Sequence, residues 1–168
     1  MKHRAVLNFL FLIAALVLIG CGVYTFSGSS LPNHLKTVEL PLFANNSLEP
    51  GVAEDLTQEL NREIVSGNLL RVVNDNGDAV IRGTVVAYSN DPYAYGTVSD
   101  REVDIDQYIV NISADVSFFD NKRSQAIYEG TVRGEGIYDF KNETEDHGKQ
   151  RAINDLVERI LQRSVQSW

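Results

Sequence analysis

Every second residue from Tyr108 to Phe118 is apolar: Tyr108, Val110, Ile112, Ala114, Val116 and Phe118, with mostly polar neighbours between them. Side chains alternate across a strand, so a run this long must be a β-strand with one wet face and one core face. Something must cover the core face, and two stretches of the chain can do so. Val52, Leu56, Leu60 and Ile64 recur every four residues with acids between them, after Pro50-Gly51 and before Gly67-Asn68. That is the stripe of an amphipathic helix with a turn at each end. Ala152, Ile153, Leu156, Val157, Ile160, Leu161 and Val165 form a second stripe, and the chain finishes at Trp168, which is expected to pack against the sheet.

Further strands are legible around the first. Thr37 to Phe43 alternates, with Val38, Leu40 and Leu42 on one side, and Pro41, which lacks a donor, points to a sheet edge or a strand's end. Leu69 to Val73 is a short apolar strand, and Asn74 to Asp78 is rich in residues that tolerate positive φ, so it should turn the chain sharply. A strand from Ala79 to about Ser89 follows. Asp120 to Ser124 makes a hairpin turn after the central strand, and Ala126, Tyr128, Gly130 and Val132 begin the returning face. Gly130, Gly134 and Gly136, at even positions, predict a bent strand or the close approach of another backbone. The order predicts an α+β fold: a small, mostly antiparallel sheet of four to five strands with both helices packed on one face.

The amino terminus has a different character. Lys2, His3 and Arg4 precede an apolar run from Ala5 to Ile19 interrupted by Asn8, and the run closes on Leu18-Ile19-Gly20-Cys21 with the chain's single cysteine. The apolar run is shorter than the roughly 20 residues a spanning helix needs and has the layout of a secretory signal. It resembles bacterial lipoprotein signals, which implies cleavage between Gly20 and Cys21 and acylation of Cys21 as a membrane anchor. Two or more acyl chains make such an anchor stable. Gly22 stands where an acid would favour retention at the inner membrane, so the expected address is the outer membrane. The chain then divides into a signal peptide (1–20), a lipidated Gly/Ser-rich tether (21–35) and one α+β domain (36–168).

Loss of residues 1–20 removes Lys2 and Arg4 and no acid, leaving 13 basic against 23 acidic residues. This acidic balance, with no run of Lys and Arg, argues against nucleic-acid binding. With the anchor as the only cysteine, the core must hold by packing alone. His3, His34 and His147 are far apart, so neither a metal site nor a cofactor is suggested. There is no nucleophile elbow and no P-loop, and no enzyme is expected. Asp100, Glu102, Asp104 and Asp106 alternate as a solvated strand edge does, and Asp75, Asn76 and Asp78 read as a turn. Asn90 to Asp104 is longer than a tight hairpin needs, and its Tyr93 and Tyr95, beside Gly96, are candidates for a partner-binding loop.

Together these segments resemble a known family. Cys21 to Pro32, Lys36 to Phe43 with Asn45-Asn46-Ser47, Asp55 to Leu60, Asp78 to Val85 and the final helix follow one another as in the LPS-assembly lipoproteins, the LptE-like proteins. The resemblance implies two helices on a small sheet and a non-catalytic role. The protein would help fold, and partly plug, a large outer-membrane β-barrel (an LptD-like partner) while lipopolysaccharide passes to the outer leaflet. Direct contact with lipopolysaccharide would call for a basic patch, for which Lys122, Arg123 and Arg133 are candidates. Thr37 to Gly83 also fits the strand-helix-strand-strand module of cell-wall synthase activators and secretion-pore lipoproteins. The long final helix and the short tether favour the first resemblance. If Cys21 is the anchor, Cys21→Ala protein stays unprocessed and its domain no longer partitions with membranes through an acyl chain; processed, membrane-sedimenting Cys21→Ala protein is the contrary outcome, read by mass spectrometry and fractionation.

Overall fold

The computed structural model describes residues 31–96 and 104–165. Its elements in chain order are β1 (Thr37–Glu39), β2 (Ala44–Asn45), α1 (Val52–Ser66), β3 (Arg71–Val73), β4 (Ala79–Gly96), β5 (Asp104–Asp120), β6 (Gln125–Asp139) and α2 (Glu145–Val165). They form one six-stranded sheet in the order β3-β1-β4-β5-β6, with β2 lying farther along β4 on the same side as β1. The α+β fold with two helices is therefore present, but the sheet is larger than four to five strands and is mixed. β1, β2 and β3 are all parallel to their partners. A helix between two strands makes a crossover, which brings the second strand back parallel to the first, and α1 does this between β1 and β3.

The long strands β4, β5 and β6 pair antiparallel. Along β5 the even residues Val110, Ile112, Ala114, Val116 and Phe118 are all buried, as their alternation requires. Both helices cover this same face: Val52, Leu56, Leu60 and Ile64 of α1 and Ala152, Ile153, Leu156, Val157, Ile160 and Leu161 of α2 join the β5 residues in one buried cluster.

The glycines of β6 set how closely α2 can lie. A Cβ on Gly134 would stand 2.3 Å from the carbonyl oxygen of Ala152, and one on Gly136 would stand 2.0 Å from that of Gly148. The helix side has its own notch, since a Cβ on Gly148 would meet the Tyr138 ring at 2.5 Å. At these two β6 positions the close approach of another backbone, as the spacing predicts, is what the glycines permit. Gly130 is different: the nearest atoms to a Cβ there belong to the movable Tyr128 side chain, its hydroxyl at 3.0 Å.

Three strand boundaries differ from the sequence expectation. The run Thr37 to Phe43 is interrupted at Leu40–Phe43, so Pro41 ends a strand and the alternation changes phase: Val38 and Phe43 are buried while Leu42 is exposed. Phe43 instead lies over Gly83, where a Cβ would be 2.2 Å from its ring. Asn74–Asp78 turns, with Asn76 at φ 52°, but it carries the chain across β1 to a parallel strand, passing so close that a Cβ on Gly77 would lie 2.8 Å from the Glu39 nitrogen. Finally, β4 continues past Ser89 to Gly96, with Pro92 opposite Tyr108. Pairing with β2 stops at Val85, so Pro92 sits on a free edge where its missing N–H costs no ladder bond.

The glycine contacts yield a direct test. Gly134→Val or Gly136→Val should destabilise the fold by about 3 kcal/mol or more, because the obstacle is helix backbone rather than a movable side chain. Gly130→Ala should cost about 1 kcal/mol or less. Thermal or urea unfolding of the three variants checks the contrast.

Candidate functional site

The described residues hold three surfaces that could act on another molecule: the bare face of the sheet, the end where β4 and β5 project, and the opposite end, which holds residues 31–36 ahead of β1.

The bare face carries the odd residues of β5 and β6 and is mostly polar, with Ile109 opposite Ile137 as an apolar pair within it. Thr131 donates to Asp115 at 2.6 Å, and Arg133 donates to Asn111 at 2.8 Å and pairs with Glu135 at 3.5 Å. A shallow concavity of about 670 Å³ opens here, with Arg82, Asp115, Glu129 and Thr131 on its floor and Pro41 and exposed Leu42 at its rim. The neighbouring edge of the sheet is closed. Along β6, Arg163 donates to the Thr131 carbonyl at 3.2 Å, Glu135 N–H donates to Asp155 at 2.9 Å, Arg151 donates to the Ile137 carbonyl at 2.7 Å and Asp139 N–H donates to Glu143 at 2.9 Å. An edge strand otherwise offers these groups to a foreign strand; here side chains of α2 and its leading turn occupy them.

The projecting end is aromatic and acidic. Tyr93 and Phe140 are each more than half exposed, and the Phe140 ring lies 5.1 Å from that of Tyr108, which lies 5.9 Å from that of Tyr138. Glu143 is paired with Arg151, and this hydrogen bond, with that from Asp139 N–H, pulls its carboxyl down to about 2. Tyr88 donates to Glu145 at 2.6 Å, and burial together with that carboxylate pushes the phenol well above its ordinary value. Asp106 is joined to Lys141.

At the opposite end, Leu35 is buried and the chain just before β1 is held by a clasp. His34 Nε2 is 2.6 Å from Asp120, whose side chain is wholly buried and also accepts from the N–H groups of Lys122 and Arg123. Burial works to raise the Asp120 carboxyl, but those N–H groups and His34 outweigh it and hold the carboxyl below its usual range. Asp78 pairs with Lys122 at 2.7 Å and accepts from the N–H groups of Lys36 and Thr37, which together hold its carboxyl far below that range.

With these surfaces in place, comparison with known proteins is informative. The model of the LptE family, described as lipopolysaccharide-assembly, matches residues 35–164. The chain belongs to the LptE family. No curated protein matches the sequence. Among solved structures it is similar to the PelC dodecamer protein of Paraburkholderia phytofirmans (TM-score 0.52, 13% identity, covering 82% of this chain and 94% of that one). It is also similar to the hypothetical protein CT253 of Chlamydia trachomatis (0.52, 11%, 77% and 98%) and to uncharacterized lipoprotein B of Nitrosomonas europaea (0.51, 17%, 77% and 83%). At these identities the likeness is one of fold.

Several residues singled out from the sequence can be located in this LptE-family chain. Gly20, Cys21, Asp100, Glu102 and Trp168 lie outside the described residues. Tyr93 and Tyr95 do not sit on a long loop: the backbone there is paired strand, with a register shift on either side of Ala94, and the Tyr93 ring is exposed. The tyrosines and Pro92 resemble a loop composition because a free edge tolerates residues that a central strand does not. Lys122, Arg123 and Arg133 do not make one patch. Arg133 lies midway along β6, eight residues from its start and about 26 Å from the turn at strand rise, and it is bound into the sheet face. Lys122 and Arg123 are instead joined by Lys36 and Arg71, whose backbones meet where Arg71 N–H donates to the Lys36 carbonyl at 3.0 Å. No sequence signal could have found this grouping, since three separate segments supply it.

Asp78, Asp120 and Glu143 have depressed folded values against ordinary ones of 3.8 for Asp and 4.5 for Glu. The stability they supply is present above the ordinary values and is lost as pH falls through the folded ones. The melting temperature should therefore hold above about pH 5 and drop between about 4 and 2. Asp78→Asn with Glu143→Gln should lower the neutral plateau and flatten the acid slope in a series of melts.

Proposed function

We propose that this protein is an outer-membrane lipoprotein that helps assemble, and partly fills, the β-barrel through which lipopolysaccharide reaches the outer leaflet. Its work is non-catalytic, and its anchor is the acylated Cys21. The observation that carries the reading is the family match over residues 35–164 on a fold whose helices cover one face of the sheet and leave the other polar and uncovered.

The physical logic is that of a tethered wedge. A barrel lumen is lined by polar side chains, so an inserted domain must present polar surface where it meets the wall and must not offer a free strand that could pair wrongly with barrel edges during folding. The bare face meets the first requirement, and the second is met at β6 by the seal from α2, while Pro92 interrupts the free edge of β4. Tyr93 and Phe140 give the projecting end two rigid apolar contacts of the kind that dominate interface energies. The anchor raises the effective concentration of the domain at the barrel mouth without any added contact.

Affinity purification of the tagged, lipidated protein from solubilised outer membranes should recover a large β-barrel in near-equal amount. Tyr93→Asp with Phe140→Asp should reduce that recovery by roughly tenfold or more, since central aromatic anchors carry about 2 kcal/mol each, while leaving acylation and the melting temperature unchanged. Recovery of a cell-wall synthase or a secretion pore in place of a lipopolysaccharide-inserting barrel would overturn the proposal.

A further inference from the structure

The end of the domain nearest the tether gathers exposed basic side chains, with Glu39, Asp75, Asp78 and Asp120 balancing them in formal charge. Lys36, Arg71, Lys122 and Arg123 are all exposed there. They are held in one place by the clasp: Lys122 Nζ lies 3.1 Å from the His34 carbonyl, Lys36 N–H donates to Asp78, and Arg71 N–H donates to the Lys36 carbonyl. Lys36, Arg71 and Arg123 have no side-chain ion pair among the described residues. The acids nearby are largely turned inward. Asp120 is wholly buried and Asp78 is 15% exposed and taken by Lys122; Asp75 is the exposed acid of the adjoining turn.

Beside the basic residues a groove of about 600 Å³ runs between the stem and the end of α1, lined by Leu31, Leu35, Val65 and Leu69. Val65 is 55% exposed although it sits at this rim. At the far end Asp91, Asp106, Asp139, Glu143, Glu145 and Asp146 gather, against Lys141, Lys149 and Arg151. Strand β4 spans the two ends, about 50 Å at strand rise, several times the screening length of about 10 Å at moderate salt.

We propose that this basic end, with the groove beside it, is a docking surface for the anionic phospholipid headgroups of the leaflet that holds the acyl chains. The inference rests on the reading of Cys21 as the anchor. Two independent observations select this occupant. The chain between Cys21 and Leu31 is nine residues long, so it reaches at most about 35 Å even when fully extended, and Leu31, the first described residue, lines the groove. Among the described residues, the surface beside that groove holds Lys36, Arg71 and Arg123 exposed and without side-chain ion pairs. A tether fixes distance and not orientation; the basic end would add orientation, keeping the clasp at headgroup level and the acidic, aromatic end directed away from it. Such an end needs no deep insertion, because each Lys or Arg at an anionic surface contributes about 1 kcal/mol, roughly a fivefold change in partition.

The test uses the chain from residue 21 with Cys21→Ala, so that no acyl chain contributes, sedimented with vesicles of phosphatidylcholine alone or of phosphatidylcholine with phosphatidylglycerol. Binding should be several-fold greater on the anionic vesicles and should fall at high salt. Lys36→Glu, Arg71→Glu and Arg123→Glu together should lower it by roughly tenfold or more, with an unchanged melt, whereas Arg133→Glu on the bare face should not. Equal binding to both vesicles, or anionic binding that survives the triple reversal, would overturn the inference. Mass spectrometry of the wild-type amino terminus separates the two readings: an acylated Cys21 with no headgroup binding leaves the anchor standing and removes only the docking surface.

Discussion

The close seating of α2 on β6 is the contact on which the remaining features depend. A helix usually stands off a sheet by the length of the side chains between them. Here Gly134 and Gly136 on the strand and Gly148 on the helix remove that spacer, and backbone meets backbone. The short distance puts Arg151, Asp155 and Arg163 within reach of the outward carbonyl and N–H groups of β6. A helix displaced outward by one methyl layer would keep its apolar stripe buried and would lose this seal.

One-sided covering has consequences for both faces. With α1 and α2 on the same side, most residues between the apolar positions of β5 face water, and several partners across the strands are polar: Asp115 with Thr131, and Asn111 with Arg133. The result is a thin wedge with a greasy interior and a hydrophilic flank. Its two ends differ in charge because the clasp draws basic residues from the stem, β3 and the β5–β6 turn to one place, while the projecting end collects acids. For a family whose members assemble lipopolysaccharide, a body with one closed edge, one polar flank and a polarity along its length can be positioned by surroundings that share those gradients.

Local order explains which features could be read in advance. The strand from Tyr108 to Phe118, both helical stripes and the close approach at Gly134 and Gly136 follow from periodicity and from residue size, and both are written in neighbouring residues. The end of α1 near Gly67-Asn68 was legible in the same way, although Asn68 and not Gly67 takes the left-handed conformation. The misreadings share a cause. Thr37 to Phe43 looked like one strand because alternation continued through Pro41, whereas packing of Phe43 over Gly83 changed the phase. Tyr93 and Tyr95 looked like a loop because their setting has the composition of a free edge.

The sequence by itself determined the class of element at most positions, the faces of those elements that had to be buried and the α+β order, since each depends on side-chain spacing within one segment. Tertiary structure alone decided that β1, β2 and β3 would pair parallel, that α2 would seal the edge of β6, that Arg133 would leave the basic residues it had seemed to join, and that Lys36 and Arg71 would take its place. These outcomes depend on which segments become neighbours in space, and that is settled by the fit of one packed core rather than by the character of any single stretch.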